Sequence, residues 1–125
     1  MKHLIFTLLI LLTFCLIACS SVPTDIPQDL TAIELTQKAQ TAFDNGNLKA
    51  AKVYYQTILD RFSDNPSAVC GAEFELAHLE IKNKNWSEAK TRLTTLINKY
   101  KEDTNSTLPR EYLVLAQNDL KKIPD

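Results

Sequence analysis

The chain has 125 residues, a formal net charge of −1 and 45% hydrophobic residues, which is enough for one domain and no more. Two glycines and five prolines, with many Ala, Leu, Lys, Glu and Gln residues, favour helices over a sheet. Its densest basic feature is Lys121–Lys122 with Lys99 and Lys101 nearby. That excludes nucleic acid as an expected partner, because neutralising phosphates needs a concentrated basic face.

The N-terminus reads as an export signal. Met1-Lys2-His3 is a short positive start, and the run from Leu4 to Ile17 is apolar apart from two threonines. A run of about 14 residues is too short for a bilayer span but suits a signal-peptide core. It ends in Leu16-Ile17-Ala18-Cys19-Ser20-Ser21, where small residues replace bulky ones. This block resembles the lipobox of bacterial lipoproteins, with Leu16, Ala18 and Cys19 matching residue for residue. Cys15 is the rival, but Phe14 is too large for the small-residue slot before it.

The resemblance implies removal of signal peptide 1–18 by cleavage between Ala18 and Cys19. Cys19 then carries a covalent diacylglycerol and an N-acyl chain; no other cofactor is expected. Two or three acyl chains hold a protein stably, since each buried methylene adds about 0.8 kcal/mol. The expected location is the cell envelope, and Ser20, in the place where Asp would retain an enteric lipoprotein, implies an outer membrane with the domain facing the periplasm. An uncleaved anchor or plain secretion is the alternative.

Residues 19–29 then read as the lipidated cysteine and a flexible linker, with Pro23, Pro27 and no helical periodicity. The repeat domain is expected over 30–125, with helices near 31–44, 48–62, 66–82, 86–100 and 109–123. Leu48, Ala51, Tyr55, Ile58 and Phe62 form one amphipathic stripe, and Trp86, Ala89, Leu93, Leu96 and Tyr100 form another. Each member of the second stripe lies 38 residues after its counterpart, so the unit is duplicated. Ala39 and Phe43 pair with Ala77 and Ile81 at the same offset. Leu113, Ala116 and Leu120 begin a third unit. Thr31 and Glu34 fit a capping box, Gly46 a left-handed cap, Asn47 and Asn65 N-caps, and Pro66 the first helical position. Asn83-Lys84-Asn85 stands where Asn45-Gly46-Asn47 does.

These residues resemble the tetratricopeptide repeat. Gly46-Asn47-Leu48 with Ala51 and Tyr55, and Lys84-Asn85-Trp86 with Ala89 and Leu93, fill the turn and second-helix positions; Ala39, Ala77 and Ala116 fill the small position of the first helix. The segment Asp60-Arg61-Phe62-Ser63-Asp64-Asn65-Pro66 is similar to the repeat endings of BamD-type outer-membrane lipoproteins, and pilotin-type lipoproteins share the combination of anchor and repeats. The fold expected is all-α: a short α-solenoid of two helix pairs plus a C-terminal capping helix, preceded by the signal peptide and linker. Lys84 departs from the turn glycine, and Glu73 and Glu80 stand at usually apolar positions. Stacking of pairs supplies the stability of such arrays, so truncating Trp86 to Ala is expected to unfold much of the domain.

Residues for chemistry are sparse. Cys70, on the line Cys70–Phe74–Ala77–Ile81, reads as a buried small hydrophobe, with an intermolecular disulfide as the lesser alternative. Glu75 and His78 have the Glu-x-x-His spacing of di-iron bundles, but no second copy exists, so a solvated face is expected and a metal-binding helical enzyme is the least favoured reading. Nothing marks an acid–base pair, and enzyme activity is not expected. The tetratricopeptide resemblance implies that first helices line a groove for protein partners. Carried onto this chain, the groove residues are Thr36, Gln37, Gln40, Asp44, His78 and Lys82, with Phe43, Phe74 and Ile81 as groove or core. The function implied is a membrane-anchored adaptor for protein–protein interaction in envelope or outer-membrane protein assembly, its partner unidentified. The alternative is a self-associating structural envelope lipoprotein.

Overall fold

A computed structural model of the chain describes residues 21–124. The expected signal peptide 1–18, its cleavage site and Cys19 lie outside the described residues. Within them the protein is all-helical, with α1 (Ala32–Asp44), α2 (Leu48–Arg61), α3 (Pro66–Lys82), α4 (Trp86–Glu102) and α5 (Arg110–Leu120) and no strand. No described helix is long and apolar enough to cross a membrane.

Local chemistry sets the boundaries. Thr31 and Glu34 form the capping box at α1, with the Thr31 N–H donating to Glu34 Oε2 at 2.9 Å. Asn47 and Asn65 each accept from the backbone N–H three residues on, at 3.1 Å, and Pro66 opens α3. Both interhelical turns after α1 and α3 end in the same paired bonds. Gly46 N–H donates to Phe43 O and Asn47 N–H to Ala42 O; 38 residues later Lys84 N–H donates to Ile81 O and Asn85 N–H to Glu80 O. This is the Schellman arrangement, which satisfies carbonyls that the helix end leaves open. It needs a left-handed residue, supplied by Gly46 at φ 74° and by Lys84 at φ 60°.

Each helix packs on the next, and α1 also touches α3 while α3 touches α5; α2 and α4 make no contact. The central helix α3 therefore serves two cores. Ala72, Leu76 and Leu79 join Leu35, Ala39, Ala51, Tyr55 and Ile58 in one. Cys70, Phe74 and Ala77 join Leu93, Leu96 and Ala116 in the other. The two α3 stripes are offset by two residues, about 200° around a helix of 3.6 residues per turn, so they face opposite ways.

Three expectations change. Trp86 is half-buried and stands outside both clusters; Leu93 and Leu96 fill the second core instead. Asn85 does not cap α4 with its side chain, because its Nδ2 donates to Glu80 Oε2 at 2.7 Å. The linker, expected to be flexible over 19–29, is held down in its described part. Ile26 and Leu30 lie against the first core, Arg61 donates to the carbonyls of Ile26 and Pro27 at 2.8 and 2.7 Å, and Asn47 Nδ2 donates to Ser21 O at 3.1 Å. Its apolar side chains find partners in the first core and its carbonyls find donors at the two ends of α2, where a free spacer would leave both to water.

Candidate functional site

Between α1 and α3, with Tyr112 of α5 closing one side, lies a cavity of about 380 Å3, within the size range of ligand sites. Thr36 and Gln37 come from α1, Tyr55 from α2, Gly71 and Glu75 from α3. The position of Tyr112 depends on Gly71. A Cβ there would sit 2.8 Å from the Tyr112 hydroxyl, so any larger residue pushes the ring away.

The cavity's polar lining is tied together. Tyr55 is 1% exposed, and its hydroxyl accepts from Gln40 Nε2 at 2.5 Å. Burial raises the Tyr55 pKa, and the nearby Glu75 carboxylate raises it further. Burial likewise raises the Glu75 pKa above its ordinary value; His78 opposes that shift, and the Asp119 carboxylate adds to it.

Beside the cavity, His78 sits close to the rings of Phe43 and Phe74, with centroids 6.2 and 5.9 Å away. Its Nδ1 lies 2.6 Å from Asp119 Oδ2, and Lys122 donates to the other oxygen of that carboxylate. Asp119 is buried, which opposes ionisation, but the bonds from His78 and Lys122 outweigh burial and hold its pKa below the ordinary value. The face of Glu75 and His78 is thus an internal polar junction between α3 and α5, where a solvated face was expected. Among the described residues no three His, Cys, Asp or Glu side chains gather as metal ligands.

The structure therefore brings Thr36, Gln37 and Gln40 to one place and sets His78 next to it. Asp44 and Lys82 are exposed at the ends of α1 and α3 and line neither this cavity nor the larger one. Phe74 is core, and Phe43 and Ile81 pack against core clusters. Sequence reasoning missed Tyr55, Glu75 and Tyr112 as lining residues. Tyr55 belongs to a core stripe and is almost wholly buried, while Tyr112 comes from a helix 41 positions beyond Gly71. Cys70 is 1% exposed within the second core, as expected for a small hydrophobe; that burial removes it from reach of a partner's thiol.

A larger hollow of about 950 Å3 runs between the docked segment and the first helix pair, past Pro23, Leu30, Lys38 and Tyr54. It is more open, and although Ser21, Thr41 and Tyr54 bring hydroxyls to it, its carboxylate, Glu34, is exposed; the half-buried Glu75 marks the smaller cavity as the better candidate.

No family model matches the chain, and no solved structure matches it. A protein from Treponema pallidum (strain Nichols) that bears the name uncharacterized protein is 44% identical over 112 residues. That match takes in 88% of this chain but 45% of the relative, so the chain spans about half the length of the curated relative it matches.

Proposed function

We propose that this protein is a membrane-anchored helical-repeat lipoprotein of the tetratricopeptide type, acting as an adaptor between proteins during envelope or outer-membrane protein assembly. One observation carries the reading. Residues 38 apart occupy equivalent buried positions: Ala51 and Ala89, Tyr55 and Leu93, Ile58 and Leu96 are each no more than 1% exposed. Two such units joined through α3, with first helices α1, α3 and α5 in contact along one side, form the kind of array whose neighbouring repeats stabilise one another and leave a surface for partners. The cavity between α1 and α3 lies on that side. Leu16, Ala18 and Cys19 support the lipid anchor, and a similar segment in a bacterial protein supports the origin that lipobox processing requires.

The test is purification of the full chain from its own membranes in mild detergent. The adaptor reading expects an envelope-assembly protein retained at fixed stoichiometry, and a palmitate label that disappears in Cys19→Ala. A lone, unlabelled monomer would refute both halves. A second reading, a self-associating structural lipoprotein, is favoured by Val114 and Leu115, which are 54% and 41% exposed on one helix. It expects a dimer or larger species of the pure chain in sizing experiments.

A further inference from the structure

The carboxylates of α3 and α5 that leave solvent are matched to cations inside the chain, with one exception. Glu80, 2% exposed, is held by Lys52 Nζ at 2.5 Å. Asp119 is held by His78 and Lys122, and Glu73 lies 3.5 Å from Arg92. Glu75 is the exception: among the described residues no Lys or Arg forms an ion pair with it, its one cationic neighbour, His78, is already bound to Asp119, and the cavity it lines has no Lys or Arg in its wall. Buried or half-buried charge is ordinarily paired or neutralised by a proton, so an ionised Glu75 has no Lys or Arg of its own chain to meet it and is open to a cation from outside.

The remaining lining suits such a visitor. The Tyr55 hydroxyl and the Thr36 hydroxyl add oxygen acceptors, while Ile33, Ala68, Ala72 and the Tyr112 ring form apolar walls along which an aliphatic stem could lie. Gly71 keeps Tyr112 in place as the wall on the α5 side.

We propose that the cavity between α1, α3 and Tyr112 receives a lysine side chain of a partner polypeptide, its ammonium meeting Glu75 and Tyr55 and its stem lying on the apolar wall. The choice of a polypeptide as the source rests on the adaptor reading; the cation preference rests on the cavity alone. Electrostatic complementarity of this sort selects partners more than it tightens them.

The test uses the full chain in detergent micelles, with the tripeptide acetyl-Ala-Lys-Ala-amide as probe and its norleucine counterpart as control, followed by amide chemical shifts in NMR. Saturable shifts are expected at Ala68, Gly71 and Ala72 with lysine. Binding should weaken at least tenfold with norleucine and by a similar factor in Glu75→Gln. A thermal melt confirms that Glu75→Gln is folded, and Gly71→Ala, which displaces Tyr112, serves as a second variant that should also weaken binding. Equal binding of lysine and norleucine, no binding of either, or an unchanged affinity in folded Glu75→Gln would overturn the proposal. If the lysine probe fails while Glu75→Gln still co-purifies an envelope protein, the cavity assignment falls and the adaptor reading stands.

Discussion

Glu80 shows how a single residue departs from its expected neighbourhood and is accommodated. It stands where the tetratricopeptide resemblance leads one to expect an apolar residue, and it is buried beneath α2 and the turn before α4. Burial by itself would favour the neutral acid, but bonds from Lys52 and Asn85 outweigh it, and the pKa falls below the ordinary 4.5. A carboxyl whose folded pKa is depressed stabilises the fold above its unfolded value, and that contribution fades as pH falls through the folded value. Replacing Lys52 with Met should therefore cost about 1–2 kcal/mol at pH 7, the lower range because Lys52 is half exposed. The difference between wild type and variant should narrow steadily below pH 4.5. Urea unfolding at pH 7 and pH 3 measures both; an equal gap at the two pH values would contradict the pairing. Glu75 has the opposite sign, since its raised pKa means that ionisation at neutral pH opposes folding. Glu75→Gln should raise the melting temperature at pH 7 and raise it less at pH 4.

At the scale of elements, the turns after α1 and α3 are duplicates with different chemistry. Both use the same pair of backbone bonds, yet one places glycine at the left-handed position and the other places Lys84 there at φ 60°. A side chain in that conformation costs about 1 kcal/mol relative to glycine. Lys84→Gly should accordingly stabilise the protein by about 0.5–1 kcal/mol, and Gly46→Ala should destabilise it by about 1 kcal/mol. Nothing lies within 4 Å of a Cβ added at Gly46, so the second effect reports backbone strain without a steric clash. Denaturant midpoints of the two variants moving in the same direction would argue against the shared geometry. The element boundaries themselves were legible in the residues: Thr31, Gly46, Asn47, Asn65 and Pro66 all act where capping chemistry requires them. The end of α4 was less so, because Glu102 and the Asp103 turn lack a strong stop signal until Pro109. There Asp103 holds the chain instead, its carboxylate accepting from Leu108 N–H at 2.8 Å and Thr107 Oγ1 at 2.9 Å.

At the scale of the molecule, stability depends on α3 being buried from both sides. The second core is built on Leu93 and Leu96, so Leu93→Ala should cost about 2–5 kcal/mol, the range for a fully buried leucine that leaves a cavity. Trp86→Ala, despite removing a larger ring, should cost less, since the indole keeps part of its surface in water and joins neither cluster. Thermal melts of the two variants side by side decide this; a larger loss for Trp86 would restore it to the role its sequence position implies. Size and aromatic character marked Trp86 as a filler, but only the relative placement of α4 and α5 shows which side chains the second core encloses.

The amino-acid sequence by itself determined the helices, their ends, and the stripes that recur every 38 residues, because these rest on capping, periodicity and backbone preference within a few positions of each residue. Packing between distant segments set which stripe of α3 meets which neighbour, where Glu75 stands without a Lys or Arg partner, and how the segment before α1 is bound. Each of those depends on groups brought together from distant parts of the chain: Glu75 against Tyr55 and Tyr112, His78 against Asp119, Arg61 against Ile26 and Pro27. Local rules carry no information about such meetings, since the free energy that drives them exists only once the helices have packed.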